Sequence, residues 1–198
     1  MMDEIPVDIS CPICRKDGQV KMRTHIDEIP YFGEHTQVTV LCDDCGWRQT
    51  DFIPAEGKKP SACEFTLSDR SSMSVRVIRS SSCTVQIPEL DLEVSPGNDS
   101  TGYVSNVEGV LERFLNIINM VKRQKVEDEE HEDILVLEHM ITALTSAQSG
   151  NPIEEITLRL LDPRGHSLIL CDEAKQWHLT EEEVASLPMG PEIPTITV

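Results

Sequence analysis

The chain has 198 residues, of which 39% are hydrophobic and 4% aromatic, and 17 basic against 35 acidic side chains give it a formal net charge of −18. Because domains average about 150 residues, this length fits one or two domains. The hydrophobic content argues against disordered and fibrous classes of protein. A protein that binds phosphate backbones or anionic membranes needs a basic face, which this chain has little basic charge to form. Nucleic-acid and membrane binding are therefore disfavoured. The excess of negative charge fits either a basic partner or adaptation to high internal salt.

The N-terminal residues do not resemble a secretory signal. Asp3 and Glu4 stand where a signal peptide would carry basic residues. No apolar run approaches the roughly 18 residues that a membrane-spanning helix requires. We therefore expect a soluble, cytoplasmic protein.

Four of the seven cysteines form two Cys-x-x-Cys pairs, and these predict a metal site. Two intervening residues allow one tight turn to present both thiolates to one ion, and two such turns complete a tetrahedron around zinc. A redox dithiol would need only one pair. Because four thiolates leave no open coordination position, we expect one structural Zn²⁺ ion, held by Cys11, Cys14, Cys42 and Cys45.

The residues between the two pairs predict the strands of a zinc ribbon. The stretches 19–26, 36–41 and 47–53 are rich in β-branched residues and partly alternate. The tip of the first hairpin holds Ile29, Pro30, Tyr31 and Phe32, a concentrated apolar group and a candidate partner-binding surface. Alternatively, Tyr31 and Phe32 fold back onto the protein. His25 and His35 are expected to be exposed, since the cysteines already satisfy zinc.

A Pro/Gly-rich stretch at 54–60 predicts a domain boundary, and strand patterns follow at 62–68, 74–80, 83–87 and 89–94. In the last of these, Leu90, Leu92 and Val94 would share one face. The opposite face would carry three carboxylates, which are either a solvated surface or a contact for a basic partner: Glu89, Asp91 and Glu93.

Nothing in the sequence predicts a catalytic site. The nucleophile elbow, the phosphate-binding glycine loop and the His-Glu-x-x-His metal motif are all missing from the sequence. Cys63, Cys83 and Cys171 lie in or at the end of apolar patterns, which favours buried thiols over nucleophiles. We therefore expect a protein that is not an enzyme.

Two helices and a further β-hairpin are predicted in the second half. Helical spacing begins near Ser105, the expected N-cap, and a second helix spans about 127–149 with an acidic opening, Glu127 to Glu130. Strands at 155–161 and 167–170 follow, then a capping-box pattern at Thr180-Glu181-Glu182-Glu183. Residues 188–198 are expected to form a flexible tail.

Taken together, these motifs resemble those of the ZPR-type zinc-finger protein family in its shorter, single-module archaeal form. The resemblance covers about residues 9–171. Besides both cysteine pairs, it rests on these segments: Ile29-Pro30-Tyr31-Phe32-Gly33-Glu34, Ile87-Pro88-Glu89-Leu90-Asp91-Leu92-Glu93, Asn106-Val107-Glu108-Gly109-Val110-Leu111 and Leu161-Asp162-Pro163-Arg164-Gly165-His166-Ser167.

The resemblance implies a mainly β protein with some helix: a zinc ribbon followed by a double-stranded β-helix, or jelly-roll-like, domain with an inserted helical hairpin. The expected divisions are residues 1–55, 60–171 with the hairpin at about 105–149, and an acidic segment and tail at 172–198. The eukaryotic members of this family bind translation elongation factor 1-alpha and assist its folding, so the resemblance implies the archaeal elongation factor 1-alpha as the partner here. The ribbon tip and the three carboxylates are our candidate contacts.

Two other functions compete with this hypothesis. A nucleic-acid-binding or transcription-related ribbon would need a basic surface, but residues 11–52 hold five basic and seven acidic side chains. A cupin-like enzyme would need histidine ligands inside its barrel, and the strand patterns between Ala62 and Val94 contain no histidine.

Overall fold

The structure is a computed structural model that describes residues 3–29, 33–54 and 58–191. The N-terminal part is one antiparallel sheet in the order β1-β2-β3-β4. Its strands confirm the three predicted ones and add a fourth, β1, that the sequence did not reveal. Their bounds are Asp3–Pro6 for β1, Val20–Ile29 for β2, Gly33–Cys42 for β3 and Arg48–Pro54 for β4.

The ribbon buries a small apolar cluster next to the cysteine pairs. In the register of β2 and β3, Val20 lies opposite Cys42 and Met22 opposite Val40. Val20, Met22 and Val40 are buried together with Val38. Because this cluster is small, a metal that ties the cysteine turns together would contribute much of the stability of this part.

The remaining described strands form two antiparallel sheets that face each other. The five-stranded sheet has the order β12-β5-β10-β7-β8, and the three-stranded sheet the order β11-β6-β9. Their bounds are Ser61–Thr66 (β5), Arg76–Arg79 (β6), Thr84–Ile87 (β7), Leu92–Val94 (β8), Tyr103–Asn106 (β9), Thr157–Asp162 (β10), Leu168–Leu170 (β11) and Lys175–His178 (β12).

This two-sheet arrangement confirms the predicted jelly-roll-like domain, with a helical insertion between β9 and β10. The core between the sheets and the first helix contains side chains such as Val77, Ile87, Leu111, Leu158 and Ile169, each at most 1% exposed. β12 pairs with β5, so the sheet continues beyond residue 171.

The inserted hairpin consists of α1, Val107–Glu127, and α2, His131–Gln148. The N-cap of α1 is Asn106 rather than the predicted Ser105: the Asn106 side chain accepts a hydrogen bond from the Gly109 N–H at 2.9 Å. The predicted acidic opening of α2 is also displaced. Glu127 ends α1, and Glu130 is the N-cap of α2.

The segment 89–94 is not the single strand that its alternation predicted. Pro88–Leu90 forms a 3-10 turn, Asp91 has φ of 50°, and only Leu92–Val94 is a strand. The Asp91 N–H donates to the Pro88 carbonyl at 3.1 Å, which closes the turn. The three carboxylates therefore do not lie in a row on one strand face, although all three residues are exposed.

A third helix, α3 at Glu181–Ser186, begins with the predicted capping box. The Thr180 hydroxyl accepts from the Glu183 N–H, and the Glu183 carboxylate accepts from the Thr180 N–H. Among the described residues, none of the helices combines the length and apolar character needed to cross a membrane.

Candidate metal centre

The first cysteine turn follows β1 and closes through its own backbone. The Cys11 N–H donates to the Lys16 carbonyl at 3.0 Å, and the Arg15 N–H donates to the Cys11 carbonyl at 2.8 Å. Arg15 has φ of 59°, in the left-handed region that non-glycine residues seldom adopt. These bonds hold Cys11 and Cys14 on the same side of the turn.

The second turn, between β3 and β4, repeats this pattern. The Cys42 N–H donates to the Trp47 carbonyl at 2.8 Å, and the Gly46 N–H donates to the Cys42 carbonyl at 3.0 Å. Gly46 has φ of 75°, a backbone conformation that glycine adopts without steric cost. Arg15 occupies the corresponding position in the first turn, and no motif around it predicts its left-handed conformation.

The two turns bring all four thiols into one cluster. The Sγ atoms of Cys11 and Cys45 are 3.6 Å apart, those of Cys14 and Cys42 are 3.7 Å apart, and all four lie within 4.8 Å of one another. A tetrahedron with Zn–S bonds of about 2.3 Å places its sulfurs about 3.8 Å apart. The four cysteines therefore fit one structural zinc ion.

Without a metal ion, ionisation of one thiol in this cluster disfavours ionisation of its neighbours. Burial opposes ionisation of Cys11, but the N–H groups of Cys14 and Ile13 and neighbouring thiols lower its pKa to about 6. The Lys16 N–H favours ionisation of Cys14, yet burial and the neighbouring thiols together raise its pKa to about 12. A divalent cation would remove this competition, because it stabilises all four thiolates at once.

Two ion pairs lie on the surface beside the cysteine turns. The Lys16 Nζ lies 2.6 Å from the Asp44 carboxylate, which joins the first turn to the second, and Lys21 on β2 pairs with Asp43. Both pairs are largely exposed, so their contribution to stability is small. Their positive charges lie near a cluster that would carry a net negative charge with zinc bound.

The histidines of the ribbon take no part in the cluster. His25 is half exposed, 3.8 Å from the Asp27 carboxylate. The expectation of an exposed His35 is wrong: only 3% of this residue is accessible. Its ring packs on Phe52, with centroids 5.7 Å apart, where the ribbon meets the second domain.

The three remaining cysteines are not activated. Cys63 and Cys83 are buried as predicted; burial raises the pKa of Cys63 to about 12 and also raises the pKa of Cys83 well above its ordinary value. Cys171 is half-buried, and burial together with its hydrogen bond to Glu173 raises its pKa. Raised values disfavour the thiolate that a nucleophile requires.

The predicted partner-binding residues are only partly described. Pro30, Tyr31 and Phe32 lie outside the described residues, and for Ile29 only the backbone, at the end of β2, is described. The Glu89 carboxylate accepts from the Thr157 N–H at 3.0 Å. Glu93 accepts from Gln86 and Ser95, which lowers its pKa, and Asp91 lies in the turn before β8.

A buried polar network, not predicted from the sequence, lies where the ribbon meets the jelly roll. Asp162, 1% exposed, accepts hydrogen bonds from the hydroxyls of Ser80, Ser82 and Ser167. Asp51, 2% exposed, lies at the same seam. The available signal was the run of three serines between two strand patterns, whose hydroxyls need partners if they are buried.

Comparison with known families matches both parts of the chain. The model of the ZPR1 zinc-finger domain matches residues 5–59, which include the four cysteines and the ribbon. The model of the ZPR1 jelly-roll domain matches residues 71–186, which include the hairpin and the strands of both sheets except β5.

Individual relatives support the same assignment. The chain is 37% identical to an uncharacterised ZPR1-like protein of Methanocaldococcus jannaschii over 92% of its length and 89% of that protein. A similar protein of Pyrococcus horikoshii is 34% identical over 92% of the chain and 81% of its own length. The zinc finger chaperone zpr1 of Schizosaccharomyces pombe is 26% identical over 81% of the chain but only 34% of its own length. The chain belongs to the ZPR1 zinc-finger family, as a single zinc-ribbon and jelly-roll module.

Proposed function

We propose that this protein is a non-enzymatic, zinc-stabilised folding factor or adaptor that acts in the cytoplasm and binds translation elongation factor 1-alpha. Its family contains a protein named as a zinc finger chaperone. The partner follows from the family resemblance stated above. The structural observation that carries the proposal is an arm formed by the end of the helical hairpin.

This hairpin arm, residues 119–142, projects beyond the domain core. The last buried residue of α1 is Ile118 and the first of α2 is Ala143, and no residue between them is fully buried. From Ile118 to Glu127 the helix extends about 14 Å at 1.5 Å per residue. Leu137, Met140 and Ile141 pack against the core from half-buried positions, and the exposed side chains of the arm are available to a partner.

The arm exposes large apolar side chains. Met120 is 58% exposed, Leu135 67% and Val136 54%. Exposed apolar residues concentrated on one projecting element are typical of a protein-binding surface, whereas single ones are ordinary. A folding factor needs such a surface to cover apolar parts of an incomplete client.

Charge pairs hold the two helices of the arm together. Lys122 lies 2.8 Å from Glu138, and Lys125 lies 2.7 Å from Asp133. Beyond them the connection between the helices is acidic, so that the end of the arm suits a basic partner surface. The arm is thus an ordered element with apolar sides and an acidic end.

We propose the ribbon tip and the carboxylates as additional contacts. The tip consists of Ile29, Pro30, Tyr31 and Phe32, and exposed Glu89, Asp91 and Glu93 would meet basic residues of the factor. We also propose that residues 1–55 and 60–171 provide the two binding units, and we assign no partner contact to residues 172–198. Alanine at both Tyr31 and Phe32 should weaken the complex if the tip binds.

The test is binding of the zinc-loaded protein to purified elongation factor 1-alpha of the same organism, measured by calorimetry. Serine at Met120, Leu135 and Val136 should raise Kd at least about tenfold, which corresponds to about 1.4 kcal/mol. Ile153→Ser, at an apolar residue that is 61% exposed outside the arm, is the matched control and should bind as wild type does.

The same experiment can contradict each part of the proposal. Absence of binding by the folded wild-type protein would contradict the proposed partner. Equal binding by the triple variant and wild type would contradict the arm as the binding surface. A second assay measures the refolding yield of the denatured factor, which the wild-type protein should increase and the triple variant should not.

A further inference from the structure

A cavity of about 330 Å³ lies between α1 and the loop that joins β8 to β9. It is separate from the metal centre and is not part of the proposed function. A volume of this size is at the lower end of the range for small-molecule sites. Much of its lining is apolar, with contributions from Val85, Val94, Val110, Phe114 and Ile117.

Two arginines meet at one tyrosine ring in this cavity. The Arg113 guanidinium carbon lies 4.2 Å from the centroid of the Tyr103 ring, and that of Arg79 lies 5.8 Å from it. In the described part of the chain, neither arginine forms an ion pair with a carboxylate. Such a pair of cations is unexpected in a protein with a net charge of −18.

Arg79 is buried and held rigidly. It is only 6% exposed, and its Nε and Nη2 atoms donate to the Cys83 carbonyl at 3.2 and 2.8 Å. Its Nη1 atom donates to the Ser100 hydroxyl at 2.7 Å and to the Thr101 carbonyl at 3.1 Å. These neutral acceptors satisfy its hydrogen bonds but supply no negative charge, and a buried charge without a counter-charge is unfavourable.

Arg113 and Tyr103 keep hydrogen-bond donors available at the cavity. Neither the Arg113 guanidinium nor the Tyr103 hydroxyl forms a hydrogen bond with another described residue. Burial raises the pKa of Tyr103, so that its hydroxyl stays protonated and can donate. The Ser100 hydroxyl accepts from Arg79 and retains its own hydrogen for a further bond.

We propose that this cavity binds a single carboxylate carried on a short apolar or aromatic body. The carboxylate would receive charge-assisted hydrogen bonds from Arg113 and donors from Tyr103, and would supply the negative charge that Arg79 lacks. The apolar body would cover Val110, Phe114 and Ile117. A bare phosphate or sulfate would leave this apolar lining uncovered, so it fits less well.

The test uses 3-phenylpropionate and its neutral amide, each titrated into the zinc-loaded full chain. Concentrations up to about 10 mM allow even millimolar binding to be detected. Two-dimensional amide NMR follows the shifts of Gly97, Thr101, Tyr103 and Arg113. The acid should bind saturably and at least about tenfold more tightly than the amide, because only the acid makes charge-assisted bonds. Acetyl-Glu-Phe-amide and acetyl-Gln-Phe-amide test whether the carboxylate comes from a protein segment rather than a free acid.

Arg113→Gln should weaken binding of the acid about tenfold or more. Because Arg113 is exposed, this variant should fold normally, which circular dichroism checks. Arg123→Gln, at an exposed arginine of the same helix outside the cavity, is the control and should leave binding unchanged. The proposal would be overturned by equal affinity for acid and amide, by an unchanged affinity in Arg113→Gln, or by shifts confined to other regions. It would also be overturned if neither the free acid nor the acidic peptide binds.

Discussion

Asp51 on strand β4 of the ribbon accepts hydrogen bonds from both the backbone N–H, at 2.8 Å, and the hydroxyl of Ser81 in the jelly roll. Asp51 also accepts from the N–H of its own neighbour Phe52 at 2.9 Å. The guanidinium of Arg164 approaches this carboxylate to 3.9 Å. A buried carboxylate of one part is therefore satisfied mainly by the other part, which couples the two energetically.

This coupling predicts that Asp51→Asn destabilises the whole protein. The amide retains one acceptor oxygen, so it cannot satisfy all the N–H and O–H groups that point at the carboxylate. Leaving a buried donor unsatisfied costs about 2 kcal/mol. Urea denaturation should show a lower midpoint with a similar slope. Asp172→Asn, at an exposed aspartate, is the control; an equal effect of both substitutions would show that the buried contact is not the cause.

Zinc removal should unfold the ribbon before the jelly roll. The ribbon core is small, whereas the jelly roll has its own large core. The two tryptophans report on the two parts, since Trp47 follows the second cysteine turn and Trp177 lies on β12. With a chelator, a Trp177→Phe variant should lose its native fluorescence while a Trp47→Phe variant largely keeps it.

The coupling through Asp51 adds a second expectation to this experiment. The jelly roll of the zinc-free protein should unfold at lower urea than that of the zinc-loaded protein, because the partner of Ser81 is lost. Cys14→Ser should reproduce this result without a chelator. Loss of both tryptophan signals in one step as zinc is removed would show instead that the jelly roll cannot fold alone.

The hairpin should respond differently to substitutions near its base and in its arm. Leu111 on α1 is fully buried, whereas Leu135 on α2 is 67% exposed. Leu111→Ala should therefore lower the free energy of unfolding by about 2–5 kcal/mol, and Leu135→Ala should change it little. Thermal or urea unfolding of both variants tests this, and a large loss of stability for Leu135→Ala would show that the Leu135 side chain packs against the rest of the protein.

Local signals in the sequence predicted the metal centre and several element ends. A Cys-x-x-Cys pair and Gly46 determine a turn within a few residues, and the Thr180–Glu183 capping box is equally local. The prediction of a single strand at 89–94 was wrong because alternation of apolar and polar residues indicates which side chains are buried. It does not determine whether the backbone that carries them is a strand or a turn. Leu90 is indeed only 5% exposed, but it is buried from a 3-10 turn that begins at Pro88.

Contacts between distant segments could not be predicted. Asp51 and Ser81 are 30 positions apart and belong to different parts of the molecule. Arg79, Tyr103 and Arg113 come from two strands and a helix. No periodicity in the sequence relates such residues, because their meeting depends on how the two sheets and the hairpin pack.

The last prediction concerns pH. Burial lowers the pKa of His166 below its ordinary value, although Asp162 and Asp51 act in the opposite direction. The unfolded chain, with a histidine pKa of about 6.5, therefore takes up a proton before the folded protein does. Acidification favours the state that binds the proton more readily, so stability should fall as pH decreases through about 6.5 and level off below the folded-state pKa. Urea midpoints between pH 8 and pH 5 measure this.

His166→Gln should remove part of this acid sensitivity, because glutamine has no proton to gain. The backbone N–H at position 166, which donates to the Asp162 carboxylate at 2.9 Å, is unchanged by this substitution. His131→Gln, at an exposed histidine of α2, is the control for the general effect of removing a histidine. An unchanged pH dependence in His166→Gln, together with a folded protein at pH 8, would assign the acid sensitivity to other groups.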